Sequence, residues 1–179
     1  TALNSYIKFL CMGLLMLIPA ISVIFPIMIN ESYADAKQLV PYYLLATIVS
    51  CISSFFGNIF TAIKKNNVLF YTTVAGSVVN VVSVHLLLPI VGVQGASIAL
   101  FLGFMVNNTI RAYLLKKEIQ VSIDLKFIVA WAIVYIGVSY IYLHANAIIN
   151  VLTVFVGGLL TLFVFRKELK EILGTIKNR

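Results

Sequence analysis

Charge is scarce in this chain. Only 11% of its residues are charged, and only six of its 179 residues are acidic. A soluble domain carries roughly 25% charged and about 45–50% apolar residues. Here the apolar share is 61% and the mean hydropathy is +1.05. One soluble core of this length cannot enclose that much apolar surface, so it must face lipid or a partner. Cysteine is nearly absent. Cys11 and Cys51 both lie inside apolar runs and read as small core residues, not as a disulfide or a metal pair. Enzyme motifs are missing too: there is no supported Ser-His-Asp grouping, no phosphate loop, no CxxC and no HExxH. The sequence therefore predicts a protein that is not an enzyme, with no catalytic residue, cofactor or metal. A signal peptide is also missing, because the first apolar stretch lacks a small-residue cleavage pattern and is long enough to span. Thr1 rather than Met opens the chain, which is read as a piece of a longer protein or as one trimmed at its front.

What is present is a succession of apolar runs, each near the ~20 residues a bilayer requires. Six helices are predicted: 9–29, 39–63, 68–90, 96–115, 127–143 and 147–165. The fold class is all-α, a polytopic transmembrane bundle. Pro19 and Pro26 fall inside the first run and suggest kinks, which membrane helices tolerate. Pro89, Gly92 and Gly95 punctuate the boundary between the third and fourth runs. Proline disturbs the helical hydrogen bonds there, and glycine allows unusual backbone angles and close approach, so a tight hairpin follows.

The net charge is +7. In a soluble domain this would raise the question of nucleic acid. Here the charges sit between apolar runs, and membrane orientation is the plainer reading. With the N-terminus inside, the inner segments hold Lys8, then Lys64 and Lys65, then Arg111 through Lys126, then Arg166 through Arg179. These are 12 of the 13 basic residues, and only Lys37 falls outside. The positive-inside rule then places both ends in the cytoplasm. Tyrosines agree: Tyr6, Tyr71 and Tyr113 fall at the inner boundary, and Tyr33, Tyr42, Tyr43, Tyr140 and Tyr142 at or beyond the outer one, leaving only Tyr135 mid-helix. His85 and His144 map near the outer surface and read as solvated interfacial residues. In the charged tail 166–179, Leu169, Ile172, Leu173 and Ile176 recur at helical spacing. It is either an amphipathic helix on the inner surface or an extension of the last span into water.

Polar and small residues form stripes at three- and four-residue steps, which places each set on one helix face. The second helix carries Thr47, Ser50, Ser54, Gly57, Asn58 and Thr61, and the third Thr73, Gly76, Ser77, Asn80 and Ser83. The fourth carries Ala99, Gly103, Asn107 and Arg111, and the sixth Thr153, Gly157 and Thr161. Two readings compete. Such residues let helices pack closely in lipid and hydrogen-bond across them, which suffices for most of these positions. Alternatively, Asn58, Asn80, Asn107 and Arg111 line a polar, substrate-binding cavity, since buried polar groups in membrane helices are costly and often mark a transport path. For Arg111, close to Tyr113 and the inner boundary, snorkelling to the cytoplasmic surface is the favoured expectation.

Several of these residues resemble a known pattern. Asn30-Glu31-Ser32-Tyr33-Ala34-Asp35-Ala36 is followed by a helix that ends Ala62-Ile63-Lys64-Lys65-Asn66. Val79-Asn80-Val81 then precedes the run Leu88-Pro89-Ile90-Val91-Gly92-Val93-Gln94-Gly95-Ala96. Together they resemble the C-terminal half of polysaccharide flippases, the O-antigen and capsular repeat-unit transporters of the multidrug/oligosaccharidyl-lipid/polysaccharide exporter superfamily. The likeness covers roughly residues 10 to 115, and its most specific part is the Pro89/Gly92/Gly95-Ala96 turn. It implies the C-terminal portion of a two-lobe transporter of the cytoplasmic membrane. Residues 1–115 would supply four helices of that lobe, 116–165 two further spans, and 166–179 a cytoplasmic tail. Such a protein flips an undecaprenyl-pyrophosphate-linked oligosaccharide to the outer leaflet by alternating access. Its partners would be that lipid-linked glycan, membrane lipid and an N-terminal half of the same protein, with no nucleic acid. Two alternatives stay open: a drug or cation exporter of the same superfamily, and a membrane scaffold subunit that does not transport.

Overall fold

A computed structural model describes residues 2–30, 36–117 and 124–166. These residues form six α-helices in chain order: α1 (Ala2–Met28), α2 (Val40–Ala62), α3 (Asn66–Val91), α4 (Gln94–Lys116), α5 (Leu125–His144) and α6 (Ala147–Val164). All six are long and apolar enough to cross a membrane. The chain has the architecture of a multi-pass membrane protein, and its helix limits fall close to those its hydropathy predicts. The exception is α1, which starts seven residues early and takes in Asn4, Ser5 and Lys8. A helix ends where its backbone hydrogen bonds end, and polar residues at its tip need not stop it. The acidic segment 31–35, the residues 118–123 and the tail from 167 onward lie outside the described residues.

Packing is not sequential. α1 lies against α6, α5 and α2, whereas α4 lies between α2 and α3. The core runs along α1, where Leu3, Ile7, Cys11, Leu14, Leu15 and Ile18 recur at three- and four-residue steps. It continues through Phe56 and Phe60 of α2, Leu115 of α4, and Trp131 and Tyr135 of α5. Two aromatic side chains tie α5 across the bundle. Trp131 donates from Nε1 to the Cys11 carbonyl at 2.8 Å, and Tyr135 donates its hydroxyl to the Pro41 carbonyl. Tyr135 is thus the mid-helix tyrosine with a partner. Tyr142, expected in the outer aromatic belt, is instead fully buried. Tyr42, Tyr43, Tyr71, Tyr113 and Tyr140 are exposed, as belt residues would be. Both histidines are exposed, and both thiols are free.

The turns follow from local chemistry. α2 ends in a Schellman motif: Lys64 N–H donates to Thr61 O, and Lys65 N–H to Phe60 O, with Lys64 at φ 59°. Pro89 stands in the last turn of α3. Gly92 caps that helix at φ 64°, a region closed to most side chains. Gly95 plays a different part, because a Cβ there would lie 2.7 Å from the Leu87 carbonyl carbon. The expected hairpin is present, with the conformational and steric roles divided between its two glycines. Farther down the pair, Gly76 of α3 crosses Gly103 of α4 so closely that a Cβ on either would lie under 3 Å from the other's carbonyl oxygen.

Candidate functional site

The stripe Ala99, Gly103, Asn107, Arg111 is buried along its whole length, and it extends to Gly95 above and Leu115 below. It is the face that α4 presents to its neighbours. Arg111 sits five residues before the end of the helix, about 7 Å from it at 1.5 Å per residue. Side chains tilt toward a helix's N-terminus. In α4 that direction leads away from the nearby end and toward the middle of the span. The arginine does not snorkel, and its exposure is only 6%.

Its guanidinium is held by two neighbouring helices. Nε donates to Thr72 Oγ1 at 2.9 Å, and Nη2 to Thr73 Oγ1 at 3.0 Å, both on α3. Nη1 donates to the Ser53 carbonyl at 2.7 Å and to Ser53 Oγ at 2.9 Å, on α2. Four of the five N–H groups of an arginine are thereby used. Gly57 packs beside it, where a Cβ would stand in van der Waals contact, 3.4 Å from Nη1. Every acceptor is neutral. Asp124 is the only acidic residue among the described residues, and it caps α5 by accepting the Phe127 N–H. Among the described residues Arg111 is a buried cation without an opposite charge beside it, the costliest kind of side chain to keep inside a membrane.

One turn along the stripe, Asn107 opens onto a crevice of about 80 Å³ between α3 and α4. Thr73, Ser77, Asn80 and Phe104 line it, and Gly76 and Gly103 form its back. Asn80 and Asn107 therefore share one hollow, and Thr73 links it to Arg111. The Oδ1 atoms of both asparagines are buried without a hydrogen-bond partner. The hollow has room for a few water molecules, each needing ~30 Å³ in the liquid, and is far too small for a sugar. Asn58 lies elsewhere, on the exposed face of α2 with Thr47, Ser54 and Thr61. Those three hydroxyls donate to carbonyls four residues back, so the polar face of α2 is satisfied locally and uncovered. A wider hollow, about 350 Å³, lies between Ser22, Phe25, Lys37 and Ala147, and none of the four candidates lines it.

The stripe on α6 only packs. Gly157 sits on Leu15 and Met16, and Thr161 donates to the Gly157 carbonyl. Two partners of Arg111, Ser53 and Thr72, stand outside the stripes that spacing singles out. Thr72 does precede Gly76 and Asn80 by four-residue steps, the one sequence signal that marks it. Asn108 adds a bond from Nδ2 to the Val49 carbonyl at 2.8 Å, joining α4 to α2 just above the guanidinium. Compared with known proteins, the chain matches no family model, no curated protein and no solved structure.

Proposed function

We propose that this chain is the C-terminal part of a transporter that moves an anionic, lipid-linked oligosaccharide across the cytoplasmic membrane by alternating access. Arg111 carries the reading. A cation buried among neutral hydroxyls and carbonyls, with no carboxylate in contact among the described residues, raises the local potential and disfavours a cationic substrate or coupling ion. This argues against the drug and cation exporter. A pyrophosphate-linked glycan carries the opposite sign. The uncovered polar face of α2, with Asn58, argues against a scaffold, whose polar residues would only pack helices. The glycan class itself rests on the resemblance at residues 30–36, 79–81 and 88–96. The small size of the crevice is consistent with a substrate path lying between this lobe and an N-terminal half, not within the lobe. Apart from Lys37 and the buried Arg111, the basic residues lie in or near the span ends and connections of one side, which by the positive-inside rule supports a cytoplasmic placement of that side.

Complementation tests this reading. The full-length protein is produced in a cell lacking its polysaccharide flippase, and surface glycan is measured. Restored glycan is the expected result. Failure across several repeat-unit structures, with protein present in the membrane, would reject the reading and turn attention to drug efflux. In the same assay Asn80→Leu and Asn107→Leu are each expected to lower surface glycan severalfold while membrane abundance stays at the wild-type level. Undiminished glycan in both variants would show that the two asparagines only pack helices.

A further inference from the structure

We infer that the crevice between α3 and α4, beside Arg111, is a binding site for one small monovalent anion of halide size. It rests on the same buried Arg111 that carries the transport reading and goes beyond it. Three observations point to it. The first is charge: Arg111 is buried, and among the described residues none of its contacts is to a carboxylate. The second is donor polarity. Arginine has only donors, so Thr73 Oγ1 receives a hydrogen from Nη2 and must send its own elsewhere. Thr72 sends its hydrogen to the Leu69 carbonyl, but Thr73 makes no such bond, and it lines the crevice. The third is Asn107, which is 5% exposed and makes no side-chain hydrogen bond. No hydrogen bond among the described residues fixes the amide of Asn80 or Asn107, so either can turn Nδ2 toward the crevice that both line.

The exposed hydroxyls of Thr73, polarised by the guanidinium, and Ser77 stand at the mouth of the crevice, and with two amide nitrogens they can present donors to one acceptor. Water would fill the space but leave the charge uncompensated in a medium where an isolated cation is expensive. One anion does both. Charge balance sets its valence, because a single arginine takes a single negative charge and a dianion would leave the site negative. The volume suits a halide, since about 80 Å³ accepts one with a water beside it.

The test uses the full-length protein in detergent, exchanged into gluconate at constant ionic strength. Chloride or bromide is then added while thermal unfolding is followed. A ligand that binds only the folded state raises the melting temperature along a saturating curve. A saturable rise of several degrees is expected for both halides, with none for sulfate. Broadening of the chloride-35 resonance by the protein, reversed by bromide, is expected in parallel and needs no variant. Thr73→Val should shift the half-saturating halide concentration upward at least tenfold, and Thr73→Ser should restore it. Identical melting in gluconate and chloride would overturn the site, as would an equal rise in sulfate or a Thr73→Val protein with the wild-type halide response.

Discussion

Gly95→Val is expected to remove nearly all folded protein from the membrane. A Cβ at residue 95 would lie 2.7 Å from the Leu87 carbonyl carbon and 2.8 Å from its oxygen, and these are backbone atoms of the helix it packs against. A side chain could swing away, but a helix backbone must move as a whole. Overpacking commonly costs about 1–3 kcal/mol even where side chains can adjust. Here two further methyl groups enter a contact that already lacks room for one, against a total stability of only about 5–15 kcal/mol. Gly103→Val should behave alike, meeting the Gly76 carbonyl oxygen at 2.7 Å. Gly137→Ala is the control. Nothing stands within 4 Å of its added Cβ, and alanine gains up to ~1 kcal/mol of helix propensity over glycine. Membrane abundance and melting temperature in detergent report the outcome. A Gly95→Val protein that melts with the wild type would mean that the α3–α4 hairpin is looser than its glycines require.

The hairpin was legible because glycine and proline act locally. Six spans were legible because a bilayer sets a minimum length of apolar chain, and the helices end within a few residues of where hydropathy falls. The stripe from Ala99 to Arg111 was legible because four-residue spacing fixes a face. What that face touches was not. Spacing within one helix carries no information about Ser53 on α2 or Thr72 on α3, and the pairing of α1 with α6 joins helices far apart in sequence. Asn58 shows the converse limit. It belongs to a regular polar stripe, yet that stripe lies on the side of α2 that no described helix covers. For Arg111 distance from the helix end favours snorkelling, but the tilt of side chains toward the helix N-terminus carries the guanidinium inward. An arginine near the C-terminal end of a span points inward, whereas one near the N-terminal end points out.

That direction makes Arg111 the residue whose replacement separates stability from function. In halide-free buffer, Arg111→Met is expected to leave the melting temperature unchanged or to raise it, and in the cell to abolish transport. Burying a cation without a partner costs about 2.5–3.5 kcal/mol on insertion scales at the centre of a membrane helix. Methionine removes that cost and fills much of the same volume. Ser53, Thr72 and Thr73 lose a donor but can bond back to their own helices, as Thr47, Ser54 and Thr61 already do. Arg111→Lys should be worse for stability, contrary to its conservative appearance. It keeps the charge but replaces a planar fork that spans α2 and α3 with a single ammonium, which cannot reach Ser53, Thr72 and Thr73 together. A fall of several degrees for the lysine protein, beside an unchanged or higher value for the methionine protein, is the expected pattern in detergent. Surface glycan in the complemented cell should be lost with methionine and partly kept with lysine, because only lysine preserves the positive charge. The opposite order, with methionine unstable and lysine like the wild type, would make Arg111 a clamp that holds three helices together and nothing more.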